Sequence, residues 1–267
     1  MQAVVDSIQK IAGYDINVLL SGETGTGKNM VAGLIHQLSR RAKGPFYVVN
    51  CAALVSSLLE SELFGHEKGA FTGALSRRAA WFEVSDEGTL LLDEVSEIPL
   101  HLQARLLQVI QTHQFQRVGS TEVLSADVRI PAATNQNLAD LVRRQRFRVD
   151  LYYRLNAYPI AIPSLRERGE DMQPLFNHFF GVYSAQLNLP VPDLTDAAMI
   201  ACAQYAWPGN VRELETFVLR LLVQCSGSIS RQSWRSSPVR PTPARPPCIW
   251  QRWKSSILNV CCKRPTA

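Results

Sequence analysis

The chain has 267 residues, of which 46% are hydrophobic, and its net charge is +5. This length is enough for more than one folded domain. The sequence has no apolar run of about 18 residues, so no membrane span is expected, and its start does not resemble a secretion signal. A phosphate-binding-loop enzyme of the kind predicted below would be cytoplasmic.

The charge is unevenly distributed along the chain. Residues 227–267 carry eight basic residues and no acidic one, which leaves residues 1–226 with 20 basic and 23 acidic groups. A mildly acidic main part argues against a broad nucleic-acid-binding surface.

The first predicted elements are a helix that begins near Val4 and a strand at Ile16–Leu20. The strand leads into the pattern G-x-x-x-x-G-K, a loop that wraps the phosphates of a nucleoside triphosphate. An apolar helix at Met30–Leu38 follows, and the lysine of the pattern can reach the β- and γ-phosphates. The alternative is a glycine-rich turn with a chance lysine, which the flanking strand and helix disfavour. The predicted nucleotide-binding residues are Gly22, Glu23, Thr24, Gly25, Thr26, Gly27, Lys28 and Asn29.

Asn29 departs from the usual form of this loop. Most such loops place Ser or Thr after the lysine, and the hydroxyl binds magnesium. Metal binding here must therefore depend more on other oxygen atoms.

The next two segments of the chain predict a strand and a loop. Phe46–Asn50 predicts a second, buried strand, and the alternation of strands with helices predicts a parallel α/β sheet. Glu60–Ala74 has glycines at positions 65, 69 and 73, which predicts a loop. Its aromatic residue, Phe71, is either tucked in or presented to a partner, and the residues alone leave both readings open.

Thr89–Leu92 predicts a third strand, which ends in Asp93 and Glu94. Beside a phosphate-binding loop, an acid at this strand end binds the magnesium of the nucleotide. A following Glu can activate water as a general base. The alternative is a solvated strand end, which the upstream loop disfavours.

An apolar helix at Leu102–Ile110 precedes a strand near Val128–Ala133. This strand ends in Thr134 and Asn135, whose polar side chains can sense the γ-phosphate or orient water. Pro131 is unusual in a central strand because it has no N–H to donate. We expect it to weaken the sheet beside the site.

Arg148 and Arg154 lie six residues apart. They are either salt-bridged surface arginines or arginine fingers that reach a nucleotide on a neighbouring subunit. Ile162–Asp171 then marks the boundary to a second, helical unit that runs to about Ser226.

The second unit contains the segment Trp207–Glu215. Asn210 is predicted to cap a helix there. Arg212 lies in the first helical turn, where a cation is unfavourable for the helix dipole, and a phosphate contact would explain it.

The cysteines do not indicate a metal site. Cys51, Cys202 and Cys225 lie in apolar surroundings and are predicted to be buried thiols. No C-x-x-C pair or histidine cluster suggests zinc.

Residues 1 to about 225 resemble the central AAA+ domain of the sigma-54-dependent transcriptional activators, the bacterial enhancer-binding proteins. The resemblance rests on the motif Gly69-Ala70-Phe71-Thr72-Gly73-Ala74 within the segment Glu60–Ala74, the acidic strand end, the spacing of the two arginines and Trp207–Glu215. The phosphate-binding loop and Asn50–Leu54 also resemble the nitric-oxide-responsive subgroup.

The resemblance implies a P-loop AAA+ fold, in which helices sandwich a parallel α/β sheet and a small helical lid domain follows. It implies an ATPase that uses ATP and Mg²⁺, works as a homo-oligomeric ring, typically a hexamer, and remodels sigma-54 RNA polymerase to permit open-complex formation. The family usually has an acidic residue after the P-loop lysine, so Asn29 departs from this pattern too.

The resemblance also implies a role for each matching position. Asp93 would hold the metal, Glu94 would activate water, and Asn50 would hold Glu94 idle or release it. Thr134 and Asn135 would form the first sensor and Arg212 the second, while Arg148 and Arg154 would act on a neighbouring subunit. The residues predicted to contact sigma-54 are Gly69, Ala70, Phe71, Thr72, Gly73 and Ala74, assisted by the loop around Gln116–Thr121.

The predicted domains are an α/β nucleotide-binding subdomain at 1–168, a helical lid at 169–226 and a basic tail at 227–267. The tail holds six prolines and three of the five tryptophans, and we expect it to be disordered. It is either a frameshifted or truncated end or a basic arm that binds DNA non-specifically. Specific DNA binding is not expected because no helix-turn-helix pattern is present.

Two function classes stay open at this point. The first is an active ATPase that remodels sigma-54 polymerase. The second is an inactive remnant that binds sigma-54 or poisons rings of intact relatives, a reading that Asn29, Pro131 and the shortened ends favour.

Overall fold

The computed structural model describes residues 1–191 and 201–226. The chain divides into two compact units, Met1–Ser164 and Leu165–Ala267. The predicted tail at 227–267 and the side chain of Cys225 lie outside the described residues. Within the described part, no helix is long and apolar enough to cross a membrane.

The first unit alternates strands and helices along its length. Its strands are β1 (Val18–Ser21), β2 (Phe46–Asn50), β3 (Thr89–Asp93), β4 (Gln114–Gln116), β5 (Val123–Ser125), β6 (Ala132–Thr134) and β7 (Tyr158–Ala161). Its helices are α1 (Gln2–Ala12), α2 (Lys28–Gln37), α3 (Ser56–Phe64), α4 (Trp81–Val84), α5 (Leu100–Thr112), α6 (Leu138–Arg143) and α7 (Val149–Leu155).

Five of these strands form one sheet in the order β2-β3-β6-β1-β7, and every neighbouring pair is parallel. The side chains of β1 alternate between two cores, because Val18 and Leu20 pack with α1 and α2 while Leu19 faces the opposite core. Helices therefore cover both faces, which confirms the predicted parallel sheet between helices. The parallel arrangement also brings the carboxyl ends of β1, β3 and β6 to the same edge. Strands β4 and β5 form a separate antiparallel hairpin.

The prediction that β2 is buried was wrong. This strand lies at one end of the sheet, where Tyr47 is 37% and Val48 is 40% exposed, and only Val49 is fully buried. A short apolar run does not distinguish an edge strand from a central one, because its position depends on pairing with distant residues.

The loop predicted at Glu60–Ala74 starts later than expected. Residues up to Phe64 belong to α3, which buries Leu59, Leu63 and Phe64 in the core. The helix ends at Gly65, whose φ is +72° and where a Cβ atom would lie 2.7 Å from the Arg78 carbonyl oxygen. The loop therefore spans residues 65–80.

Pro131 lies immediately before β6 instead of inside a longer strand. Its carbonyl still accepts a hydrogen bond from the Leu92 N–H at 3.0 Å. The position just before a strand tolerates the missing donor, so the proline shortens β6 to three residues and leaves Thr134 at its end.

The second unit contains α8 (Met172–Leu187) and α9 (Asn210–Ser226) among its described residues. They pack around a core that includes Phe176, Trp207 and Leu214. Cys51 in the first unit and Cys202 in this one are both buried, as predicted. The contact boundary at Ser164 lies four residues before the predicted one at 168.

Asn210 differs from its predicted role as a cap, because it is the first residue of α9 itself. Its side-chain oxygen accepts the Leu165 N–H at 2.8 Å. The N–H of the preceding Gly209 is bonded to the Glu213 carboxylate at 2.8 Å. The helix start is thus stabilised from within its first turn.

Candidate nucleotide-binding site

The loop Gly22–Lys28 connects β1 to α2 and has the backbone shape of a phosphate cradle. Gly25 and Gly27 have φ values of +80° and +101°, a region that residues with a Cβ atom rarely adopt. A Cβ atom at Gly27 would meet nothing within 4 Å, so its need for glycine is conformational. At Gly22 the need is steric, because a Cβ atom would lie 2.7 Å from the Ile162 carbonyl oxygen. This open concave backbone at a helix start fits a phosphate group.

Lys28 folds back beneath this loop. Its side chain is 6% exposed, and Nζ donates hydrogen bonds to the carbonyl oxygens of Gly22 (3.0 Å) and Glu23 (3.2 Å). The same Nζ lies 3.8 Å from Glu94 Oε1. A phosphate in the cradle would compete with these oxygens for the ammonium group.

Asp93 and Glu94 lie at the carboxyl end of β3, as predicted from the acidic strand end. Asp93 Oδ1 accepts the Glu94 N–H at 3.1 Å, and Asp93 Oδ2 accepts the side-chain amide of Asn29 at 3.2 Å. Glu94 has a φ of +54°, and its Oε2 accepts the Asn135 N–H at 3.1 Å.

The oxygen atoms near Asp93 suit magnesium only in part. The Asp93 carboxylate and the Asn29 amide oxygen are hard ligands of the type magnesium prefers. No group of three acidic, histidine or cysteine side chains able to hold a metal occurs within the described residues. The set therefore fits a metal that takes its remaining ligands from phosphate and water.

The last residue of β6, Thr134, and the residue after it, Asn135, contact the P-loop directly. Asn135 donates its side-chain amide to Thr24 Oγ1 at 3.0 Å, and the Thr134 carbonyl accepts the Gly22 N–H at 3.2 Å. Asn135 therefore connects the P-loop to Glu94, through its amide group on one side and its backbone on the other.

Asn50 lies opposite Asp93 in the register of β2 and β3. Its side-chain oxygen accepts the Ala52 N–H at 2.9 Å, and no hydrogen bond joins it to Glu94 in the described chain. The partners of the Glu94 carboxylate here are Lys28 and the Asn135 backbone.

Arg148 and Arg154 make no hydrogen bond to this group of contacts among the described residues. Arg148 precedes α7 and forms two hydrogen bonds with the Asp150 carboxylate, at 3.1 and 2.8 Å. The hydrogen bonds and charge of Asp150 raise the pKa of Arg148, while Arg148 lowers the pKa of Asp150. Arg154, on α7, is exposed and its side chain has no ion pair with any described residue. Arg212 is exposed on α9 in the second unit.

A cavity of about 420 Å³ opens beside the P-loop. Its walls come from the P-loop, from the segment after β6 and from α7. They include Ser21, Gly22, Glu23, Thr134, Asn135, Gln136, Asn137, Tyr152 and Asn156.

The loop 65–80 presents the predicted partner-binding motif. Phe71 is 43% exposed, and its ring packs edge-on against the His66 ring with the centroids 5.0 Å apart. Phe71 is thus partly exposed to solvent and partly packed on His66. This arrangement lies between the two alternatives from the sequence, a tucked-in side chain and one presented to a partner. Ala70 lies close to Gly119 in the loop 117–122 between β4 and β5, the second loop, where a Cβ atom on Gly119 would be 2.8 Å from Ala70 Cβ.

Sequence reasoning missed the ion pairs at the base of these two loops. Arg117 is only 4% exposed and donates to Glu67 Oε1 (2.9 Å) and to both oxygens of Glu83 (2.9 and 2.6 Å). Burial raises the pKa of Glu83, but the hydrogen bonds and charge of Arg117 together with the Ala80 N–H outweigh it, so that the pKa is lowered. No local pattern around Arg117 announces partners 34 and 50 residues away.

Comparisons with known proteins agree with this geometry. Residues 1–161 match the sigma-54 interaction domain, and residues 166–234 match the AAA+ ATPase lid domain. The regulatory protein AtoC of Escherichia coli K12 is 50% identical over 229 residues, which are 86% of this chain and 50% of AtoC. The nitric oxide reductase transcription regulator NorR of Citrobacter koseri is also 50% identical, over 223 residues that are 84% of this chain and 44% of NorR. This NorR and AtoC are thus equally similar to this chain by identity.

A solved structure shows the same fold. The crystal structure of NtrX from Brucella abortus in complex with ATP has a TM-score of 0.79 and 34% sequence identity, and the match covers 85% of this chain and 51% of NtrX. The chain thus spans about half the length of these relatives. From the matched domain, the shared sequence identity and the parallel sheet with its P-loop, we conclude that this chain belongs to the sigma-54 interaction domain family and has the AAA+ fold.

Proposed function

We propose that this chain hydrolyses ATP to ADP and phosphate and uses the reaction to remodel sigma-54 RNA polymerase in the cytoplasm, permitting open-complex formation. The observation that carries the proposal is one connected group of contacts at the edge of the sheet, in which Lys28, Glu94, Asn135 and Thr24 follow each other. A positive group for phosphate, a carboxylate for water and a polar group between them are the parts that phosphoryl transfer needs.

Separate residues are proposed to bind the phosphates, to bind the metal and to accept the proton of water. The backbone N–H groups of Gly22–Lys28 and the Lys28 ammonium bind the phosphates. Magnesium bound with the nucleotide would neutralise phosphate charge, and the oxygens of Asp93 and Asn29 are the protein ligands that fit it. Glu94 takes the proton of the attacking water once its carboxylate is free.

Nucleotide binding would free the Glu94 carboxylate by drawing away its present partners, Lys28 and the Asn135 N–H. Phosphates that attract Lys28 remove it from Glu94 Oε1, and a phosphate contact to Asn135 competes with its bond to Thr24. Movement of Asn135 would in turn carry the N–H that holds Glu94 Oε2. Asn50 lies opposite Asp93 on the neighbouring strand, and it is the proposed switch residue that contacts Glu94 in the nucleotide-bound state.

The proposal extends to a ring, typically a hexamer, in which Arg148 and Arg154 reach the nucleotide of the neighbouring subunit. Arg154 has an exposed side chain that is available for this contact, whereas Arg148 must first leave Asp150. Arg212 is the proposed second sensor. Phe71 and Thr72, both exposed, are the proposed contact with sigma-54.

The test is phosphate release measured over a series of protein concentrations. Specific activity is expected to rise with concentration, because each site needs a finger from a second subunit. Arg154→Ala and Glu94→Gln are each expected to be inactive, while their mixture regains activity, since an intact site then meets an intact finger. A mixture that stays inactive would contradict fingers acting between subunits.

The Asn29 to Asp93 hydrogen bond favours a second candidate, a chain that binds sigma-54 without hydrolysing ATP. In that case the hydrogen bond from Asn29 would permanently block the Asp93 carboxylate, the proposed metal ligand. Sigma-54 binding without phosphate release at any protein concentration would support this candidate.

A further inference from the structure

His66 is a buried histidine at the start of the loop 65–80. It is 9% exposed, and a hydrogen bond of 2.7 Å joins its Nδ1 to the hydroxyl of Ser61, which is 4% exposed. Ser61 belongs to α3, so the imidazole ring is fixed to a helix of the core. The ring also contacts Phe71, with an angle of 62° between the two ring planes.

The backbone of His66 is held as firmly as its ring. His66 and Arg78 exchange two backbone hydrogen bonds, at 3.1 and 2.9 Å. On the other flank the Val118 N–H donates to the Gly65 carbonyl, and the Glu67 N–H donates to the Val118 carbonyl. His66 therefore lies where α3, the returning loop and the second loop meet.

The tip of the loop has weaker support. Its backbone hydrogen bonds are short-range: the N–H groups of Gly69, Ala70 and Ala74 donate to the carbonyls of Ala74, Glu67 and Phe71, at 2.9, 3.1 and 3.0 Å. They shape the backbone of the tip but do not fix the side chain of Phe71. The ring contact with His66 is the aromatic contact that joins Phe71 to a fixed part of the fold.

We infer that His66 is a positioning residue for Phe71: its ring, fixed by Ser61, holds the aromatic tip in the orientation in which it meets sigma-54. The inference rests on the proposed function for the partner, but the effect on the loop itself does not. A histidine suits both tasks, because one ring edge satisfies the buried hydroxyl and the rest of the ring offers an aromatic surface.

The chain offers a matched control in His36. This histidine is 6% exposed, its Nδ1 lies 3.0 Å from the hydroxyl of Thr89, and it stacks on Phe46 at 5.2 Å. It has the same kinds of contact as His66 but lies on α2. His36→Ala therefore measures the general cost of removing a buried, hydroxyl-bonded histidine.

The experiment measures amide hydrogen exchange at Gly69, Ala70 and Ala74 in the full chain. We expect His66→Ala to speed exchange about fivefold, and His36→Ala to leave it unchanged. His66→Phe, which keeps the aromatic surface, is expected to restore most of the protection. Unchanged exchange in His66→Ala, equal effects of both alanine variants, or no rescue by phenylalanine would overturn the inference.

A second measurement separates this inference from the proposed function. Binding of purified sigma-54 in the presence of ADP and aluminium fluoride is expected to weaken about fivefold in His66→Ala, with phosphate release within about twofold of the original chain. If the original chain itself fails to bind sigma-54 while exchange behaves as expected, the partner is wrong and the positioning role stands. If sigma-54 binds His66→Ala and the original chain equally, the positioning role is wrong.

Discussion

Two regions are built from different kinds of contact: the candidate phosphate-binding edge of the sheet, formed by the P-loop, Asn29, Asp93, Glu94 and Asn135 (the phosphate edge), and the group of Glu67, Glu83 and Arg117 beneath the loop 65–80 (the loop base). At the edge, exposed amide groups of Asn29 and Asn135 make single hydrogen bonds of 3.2 and 3.0 Å. At the loop base, a nearly fully buried Arg117 joins two carboxylates through three short bonds. The first set is easily exchanged for a ligand, whereas the second set resists rearrangement.

This difference matches the function proposed for each region. A nucleotide site must release its internal bonds when phosphate arrives, and single exposed hydrogen bonds cost little to break. A loop that acts on a partner needs a rigid base to transmit force. Removing one member of a buried ion pair strongly lowers the free energy of unfolding, so such pairs make a base rigid. The following variants test whether the two regions really differ in this way.

The largest effect is expected from Glu94→Gln at the phosphate edge. An amide cannot take a proton from water, so phosphate release should fall by about a thousandfold. ATP affinity, measured by calorimetry, should stay within about threefold, because Lys28 and the loop backbone remain. Glu87→Gln, two residues before the start of β3, is the control and should hydrolyse normally. Normal hydrolysis by Glu94→Gln would remove this residue from the reaction.

At the loop base, Arg117→Met should lower the free energy of unfolding by about 2 kcal/mol, since it leaves Glu67 and Glu83 partly buried without their main partner. The chain supplies a control with the same partners. Arg77 is 59% exposed and lies 3.8 Å from Glu67 and 3.9 Å from Glu83. Arg77→Met should cost less than about 0.5 kcal/mol in the same urea titration. Equal losses of unfolding free energy in the two variants would mean that the burial of Arg117 does not strengthen its ion pairs.

The same ion pairs predict a dependence of stability on pH. The pKa of Glu83 is lowered below its ordinary value of 4.5, so its contribution is complete above that value and disappears as the pH falls through the lower folded pKa. Between about pH 5 and pH 3, the original chain should therefore lose more stability than Arg117→Met. Parallel stability curves for the two proteins would show that Arg117 does not lower this pKa.

The smallest effect is expected from Asn29→Asp. A carboxylate in place of the amide donor repels Asp93 when no metal is present but adds a charged ligand when magnesium binds. The magnesium concentration needed for half-maximal ATP affinity should fall about fivefold. Asn29→Gln, which keeps the amide, should show no such gain. A lack of change in Asn29→Asp would place this side chain outside the metal site.

The phosphate edge was predictable because its parts are local. The P-loop lies between its own strand and helix, and the two acids lie at the end of one strand, so short patterns contain the information. The parallel sheet followed from the alternation of strands and helices. The contact between Asn135 and Thr24, 111 residues apart, was not in any such pattern.

The loop base was much less predictable, for a physical reason. The glycines and Phe71 indicated a loop, but the extent of α3 depended on the burial of Leu63 and Phe64 against distant residues. The partners of Arg117, and the packing of Phe71 on His66, follow from tertiary contacts. The exposed face of β2 likewise depended on its place at the end of the sheet, which an apolar run does not contain.

The most direct measurement of the central claim pairs phosphate release with sigma-54 binding in Phe71→Ala. ADP with aluminium fluoride serves to hold the nucleotide-bound state during the binding assay. The account predicts phosphate release within about twofold of the original chain and sigma-54 binding weakened by at least about thirtyfold. Equal loss of both activities, or undiminished binding, would contradict a division of labour between the phosphate edge and the loop.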